Sequence, residues 1–150
     1  MLKHILVPLD SSELAETALP YAKQILAEGG HITLLIVIQP PTLYLDDYGA
    51  YLTIWGTTLE QQLGKLRWQA QVYLNTIVFR LESMKGHIES IIKVGYPSIQ
   101  IIELAKDRSI DAIVMSTHGK TGLSRWLLGS VTQKVVSAAP CPVFIIPPKE

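Results

Sequence analysis

Between Met115 and Thr132 the chain leaves an apolar run, passes Gly119, Gly122 and Gly129, and enters a helical pattern at Ser130. A strand, a glycine-bearing turn and a helix start, in that order, are the usual setting of an anion site. The first amides of a helix have no internal partner, its dipole is positive there, and glycine lets a phosphate reach the backbone without meeting a Cβ. Gly119, Gly129 and Ser130 are therefore the leading candidates, with Lys120 and Arg125 either meeting phosphate as point charges or lying solvated on the surface. The same residues have an architectural reading. Ser130 with Gln133 three residues on has the form of a capping box, and Gly119 or Gly122 can serve a backbone at φ > 0. His118, beside Gly119, is loop structure or a minor ligand contact.

A second candidate is Asp10, at the end of the run Pro8, Leu9, Asp10, Ser11. An open parallel sheet takes its ligands beyond the carboxyl ends of its strands, and there a carboxylate can accept hydrogen bonds from a ribose or a base. Asp10 can equally cap the helix that follows, and one carboxylate can partly do both. Other chemistries fit less well. Gly119-Lys120-Thr121 looks like the end of a P-loop, but the motif's first glycine would fall where Val114 stands. No Gly-x-Gly-x-x-Gly follows the first strand, and no Gly-x-Ser-x-Gly elbow occurs. Cys141, between Pro140 and Pro142, suits a small buried thiol rather than a nucleophile.

Composition narrows the class. Thirteen basic and thirteen acidic side chains cancel, so neither nucleic acid nor an anionic membrane is an expected partner. One cysteine makes no internal disulfide, and the closest two histidines, His4 and His31, are 27 positions apart, without metal-ligand spacing. The first apolar run stops at Asp10, too short for a signal peptide or a membrane span, so a cytoplasmic protein is expected. A length of 150 residues fits one domain with one core.

The elements that must position these residues follow from pattern. Residues 4–9, 32–38, 112–115 and 143–146 are apolar and rich in β-branched side chains, as strands buried on both faces are, and 88–94, more mixed, reads as nearer an edge. Helical stretches lie between them, so strand and helix alternate: five strands and four helices, an α/β domain with a mainly parallel sheet. The first helix is expected from Ser12, capped by Asp10, Ser11 or Ser12, kinked by Pro20 and stopped by Gly29-Gly30. The second runs from about Thr58 to Met84 with Leu59, Leu63, Leu66, Ala70, Tyr73, Ile77 and Leu81 inward, and the third carries Ile99, Ile102 and Ala105 inward. The fourth follows Ser130. Gln39 to Thr57, with three tyrosines and Trp55, is too long for an ordinary connection and reads as a loop packed over the sheet's end, or as a lid or partner surface.

These residues resemble the universal stress protein family, in its ATP-binding-motif form. The resemblance rests on the start Lys3 to Ser12, the Gly95-Tyr96-Pro97 turn, the stretch Ser116 to Val136 and the close Cys141 to Ile146, covering nearly the whole chain. The family's nucleotide motif is Gly, two residues, Gly, nine residues, then Gly-Ser or Gly-Thr. Gly119 and Gly129-Ser130 match it, while Ser116 replaces its first glycine and narrows the pocket without obviously closing it. The resemblance implies a single-domain open twisted parallel five-stranded sheet of order 3-2-1-4-5 with helices on both faces, Rossmann-like or adenine nucleotide alpha hydrolase-like. It further implies that Pro8, Leu9 and Asp10 flank an adenosine, that Val37 and Met115 line the adenine, and that Gly119, Gly129, Ser130, Val131 and Thr132 hold ribose and phosphates. ATP, or AMP or ADP, would be the ligand, and its phosphates could bring magnesium or manganese. A homodimer through the last strand, Val143 to Ile146, is implied as well, which would cover an apolar edge.

Three functions are consistent with this reading. The first is a nucleotide-binding stress-response module with little or no turnover, in which ATP changes the dimer or a partner surface. The second is a slow ATPase or nucleotide transferase, for which no acid–base pair or magnesium motif stands out. The third is a nucleotide-free interaction protein, with Ser116 marking lost binding and the tyrosine-rich loop supplying contacts.

Overall fold

A computed structural model describes residues 2–40, 58–81, 86–117 and 128–148. Five parallel strands, β1 (Leu2–Leu9), β2 (Leu26–Ile38), β3 (His87–Val94), β4 (Ala112–Ser116) and β5 (Val143–Ile146), form one sheet of order β3-β2-β1-β4-β5. The expected order is therefore the observed one, with β3 at one edge. Period-2 alternation divides β1 and β2 between two cores. Ile5, Val7, Leu9, Ile32, Leu34 and Ile36 pack under α1 (Glu13–Glu16), α2 (Ala18–Ile25) and α3 (Leu59–Leu81). Leu6, Leu35, Ile113 and Met115 pack on the other face with α4 (Pro97–Asp107) and α5 (Ser130–Ala138).

The strands do not run evenly alongside one another. β1 pairs with β2 as far as Leu9 opposite Ile36, but with β4 only at Ile5–Ala112 and Leu6–Ile113. β4 itself continues to Ser116, paired with Ile146 of β5. Pro8 has no N–H to give to a ladder, and the β1–β4 pairing stops two residues before it. A crevice thus opens between β1 and β4 at their carboxyl ends, where the chain changes its direction of winding.

Several helix expectations are corrected. The first helix is not one kinked rod but two, broken at Thr17. The residue four before Pro20 is Glu16, whose carbonyl a proline cannot satisfy and whose turn the ring would strike. The chain breaks there, and Pro20 falls in the first turn of α2, where no amide is needed. Helix α2 also stops at Ile25, ahead of the glycines, because Leu26 already pairs with Leu2. Gly29 (φ +72°) and Gly30 instead turn the strand tightly, and a Cβ on Gly30 would lie 2.9 Å from the Lys3 carbonyl oxygen.

Helix α3 starts with a reciprocal capping box: Thr58 Oγ1 accepts the Gln61 amide at 3.2 Å and Gln61 Oε1 accepts the Thr58 amide at 3.0 Å. Its buried residues are Ala70, Leu74 and Ile77. Leu74 was absent from the expected face, and Leu66 is more exposed than that face predicts. On α4 the inward residues are Ser98, Ile101, Leu104 and Ala105, while Ile99 points outward, one step off the expected stripe.

Candidate functional site

The crevice between β1 and β4 is a cavity of about 560 Å³. Its floor is the carboxyl ends of β1 (Pro8, Leu9), β2 (Leu35 to Ile38) and β4 (Met115, Ser116). One side is the start of α5, Gly129 to Thr132, and the other is α3 through Leu66, Gln69 and Ala70, with Pro97 and Ile101 of α4 closing the far end. Pro8, Leu9, Asp10, Val37, Met115, Ser116, Gly129, Ser130, Val131 and Thr132 all line this one cavity. His118 and Gly119 lie outside the described residues, as does the long loop from residue 41 to 57. Pattern reading missed the α3 and α4 walls. Their only sequence signal is an apolar helix face, which any core helix carries.

The start of α5 is built differently from the expectation. Gly129 is the N-cap (φ −58°, ψ 156°) and Ser130 is already the first helical residue, so the Ser130–Gln133 capping box does not form. The Gln133 amide instead bonds the Gly129 carbonyl at 2.9 Å. No side chain caps this helix among the described residues. The physical reason is that the cap position is taken by a residue tied elsewhere: the Gly129 amide donates to the Thr117 carbonyl at 2.9 Å. Thr132, 3% exposed, secures the same joint, its hydroxyl lying 3.2 Å from the Ser116 carbonyl oxygen and 3.1 Å from that of Thr117. The hydroxyl of Thr132 therefore faces the fold, and what this turn has for an anion is the amides of residues 130–132, which have no intrahelical acceptor. Gly129 has a backbone any residue adopts, so chain conformation does not explain a glycine there. The position is buried and lines the cavity wall.

Across the crevice, Asp10 makes a turn of its own. Its Oδ1 accepts the Ser12 amide at 3.0 Å and the Ser12 hydroxyl. Ser12 in turn caps α1, its Oγ accepting the Ala15 amide at 3.1 Å. Of the three rival caps, Ser12 is thus the direct one, and Asp10 orients it. Ser11 between them sits at φ 67°, a left-handed conformation costing a serine about 1 kcal/mol. Ser116 is 6% exposed and forms part of the wall, and the cavity keeps its volume with that side chain in place. Among the described residues no group of three or more His, Cys, Asp or Glu is placed to hold a metal ion, and no helix is long and apolar enough to cross a membrane.

The cavity lining combines the start of α5, Asp10, Ser11, Gln39 and Gln69 with apolar side chains, among them Val37, Ile38, Ala70 and Ile101. Such a lining suits a ligand that carries both an anionic group and an apolar portion.

Known proteins share this architecture. The model of the universal stress protein family matches residues 1–147. Universal stress protein MJ0577 of Methanocaldococcus jannaschii is 34% identical over 154 residues, spanning 97% of this chain and 95% of its own. The solved structure of MJ0577 superposes with a TM-score of 0.84 at 32% identity, covering 100% of this chain and 99% of that one. A universal stress protein in complex with cAMP (20% identical, TM-score 0.70, 97% of each chain) has the same fold. So has an Arabidopsis thaliana family protein with AMP bound (18% identical, TM-score 0.64, 96% of this chain and 90% of that one).

Proposed function

The chain belongs to the universal stress protein family, and on that premise we propose that the crevice between β1 and β4 binds an adenine nucleotide, ATP first, as a regulatory module with little or no turnover. The observation that carries this reading is the meeting, in one cavity, of the uncapped start of α5 with an apolar slot at the ends of β1, β2 and β4. The amides of Ser130, Val131 and Thr132 receive phosphate, Asp10 receives the ribose, and Val37 and Met115 hold the base. A helix start contributes at most about 2 kcal/mol toward an anion, so the base must supply much of the affinity by leaving water for the apolar side chains. The family structures that carry cAMP and AMP support an adenine ligand.

Little turnover is proposed because Asp10 is held as an acceptor by the amide and hydroxyl of Ser12, an arrangement suited to orienting rather than to moving a proton. The module is taken to act in the cytoplasm as a homodimer through β5. The supporting observation is that β5 lies at the sheet edge opposite β3 with Phe144 41% exposed, an apolar edge that a second copy would cover. Light scattering should give a dimer mass at micromolar concentration, and a monomer there would contradict this part of the reading. The nucleotide itself is tested by denaturing purified protein and identifying what is released, followed by calorimetric titration with ATP and a turnover assay. Released adenine nucleotide or saturable ATP binding, with turnover near background, is expected. Absence of both would favour a nucleotide-free interaction protein, and repeated turnover would make the module an enzyme.

A further inference from the structure

At the end of the sheet away from the cavity, strand register brings together three histidines that the sequence keeps far apart. His4 of β1 stands opposite His31 of β2, and His31 opposite His87 of β3. The ring centroids are 5.8 Å apart in the first pair and 5.1 Å in the second, which is stacked at 26° between planes. The His4 ring is tied inward, its Nε2 lying 2.9 Å from the hydroxyl of Thr33, a residue 1% exposed. His31 and His87 are open to solvent.

Charged groups reach this row from every side. Glu89 on β3 and Asp111 ahead of β4 favour a proton on His4, while His31 and Arg108, at the end of α4, oppose it. The acids are already engaged. Glu89 is 3.4 Å from Arg108, and Asp111 accepts the amides of Lys3 and His4 at 2.7 and 2.9 Å. Burial first, and His31 second, hold His4 below the ordinary histidine range.

We propose that the His4–His31–His87 row is a proton-operated clasp on β3, which helps seat that edge strand on β2 when neutral and pushes it away when acid charges the facing rings. Like charges facing one another on neighbouring strands destabilise a pair, and β3 is the vulnerable strand because β2 is its sole sheet neighbour among the described residues while β1 and β2 are each flanked on both sides. The direction follows from linkage. A ring whose folded state disfavours the proton contributes stability in full above the ordinary histidine range, and that stability is lost as pH falls through it. Charged rings 5.1 and 5.8 Å apart repel one another. This inference does not depend on what the cavity binds.

Hydrogen exchange of the whole protein at pH 7.5 and 5.5, corrected for intrinsic exchange rates, tests it. Protection of the β3 amides bonded to β2 should fall at least tenfold relative to that of the β4 amides on acidification. His31→Gln together with His87→Gln, both at exposed positions that leave the His4–Thr33 contact intact, should remove most of that relative loss. A β3-to-β4 protection ratio that is unchanged with pH in the parent, or an equal acid loss in the double variant, would overturn the proposal.

Discussion

At the amino end of β1 the amides of Lys3 and His4 give their protons to one carboxylate, Asp111, and the Asp111 amide returns a bond to the His4 carbonyl at 2.9 Å. Gly30 packs so closely there that a Cβ would meet backbone oxygen, and a Cβ on Gly86 would likewise come within 3.0 Å of the Gly30 carbonyl oxygen. At the carboxyl end of the same sheet, β1 and β4 part after two paired positions, and the amides that open α5 meet no capping side chain. At one end these amides and carbonyls pair within the chain, while at the other the amides of residues 130–132 have no acceptor among the described residues and lie beside a cavity of about 560 Å³. A parallel sheet permits this division because every helix returns over it, so that helix starts gather at the strands' carboxyl ends. Stability and binding are thereby assigned to opposite ends, and a substitution should affect one without the other.

The largest separation is expected at Gly129. Gly129→Val keeps a backbone that valine can adopt but puts a side chain into the cavity wall, so ATP binding should fall by at least about 100-fold, roughly 2.7 kcal/mol. Calorimetry on the folded variant checks this, and binding equal to the parent's would place the phosphate elsewhere. Ser130→Ala should weaken ATP by about 1 kcal/mol, the scale of one hydrogen bond. Because Ser130 is the first helical residue and not the cap, thermal unfolding of that variant should match the parent's, so loss of both would merge the two ends.

Asp111→Ala is the converse case. It should lower Tm by about 2 °C at pH 7, less than one ordinary hydrogen bond in a chain of this length, with ATP affinity unchanged. Hydrogen bonds from the His4 and Lys3 amides hold the Asp111 carboxyl below the usual carboxylate range. Its contribution is therefore present above that range and lost as pH falls through the depressed value, so variant and parent should converge in strong acid. The smallest effect is expected where α1 meets α3. Glu16 accepts from Tyr73 at 2.9 Å and pairs with Arg80 at 2.6 Å, but the arginine is half exposed. Arg80→Ala should cost less than about 0.5 kcal/mol in a denaturant titration and leave binding untouched.

How legible each end was in the sequence differs for the same physical reasons. The carboxyl end could be read because its signals are local: a strand run, Asp10 at its end, and glycine before a helical pattern. Of the residues read from local pattern, Pro8, Leu9, Asp10, Gly129 and Ser130 line the cavity, and Val37, Met115, Ser116, Val131 and Thr132, which the family resemblance implied, line it too, while His118, Gly119, Lys120 and Arg125 fall outside the described residues. Local rules erred where two of them competed. Ser130 has the residue type of a cap, but the Gly129–Thr117 bond fixes the helix start one residue earlier. Pro20 suggested one kinked helix, whereas the chain forms two helices that meet at Thr17, near the carbonyl Pro20 cannot serve. The amino end was illegible because its signals are not local. Histidines separated by 27 and 56 positions become neighbours only when strand register is known.

The assignment of binding to one end is tested most directly by following backbone amide NMR shifts of the whole protein during an ATP titration. Saturable shifts are expected to be largest at Asp10, Val37, Met115 and residues 129–132, with the amides of His4, His31, His87 and Asp111 still. ATP that leaves the start of α5 unmoved, or that acts chiefly on the histidine end, would contradict the account.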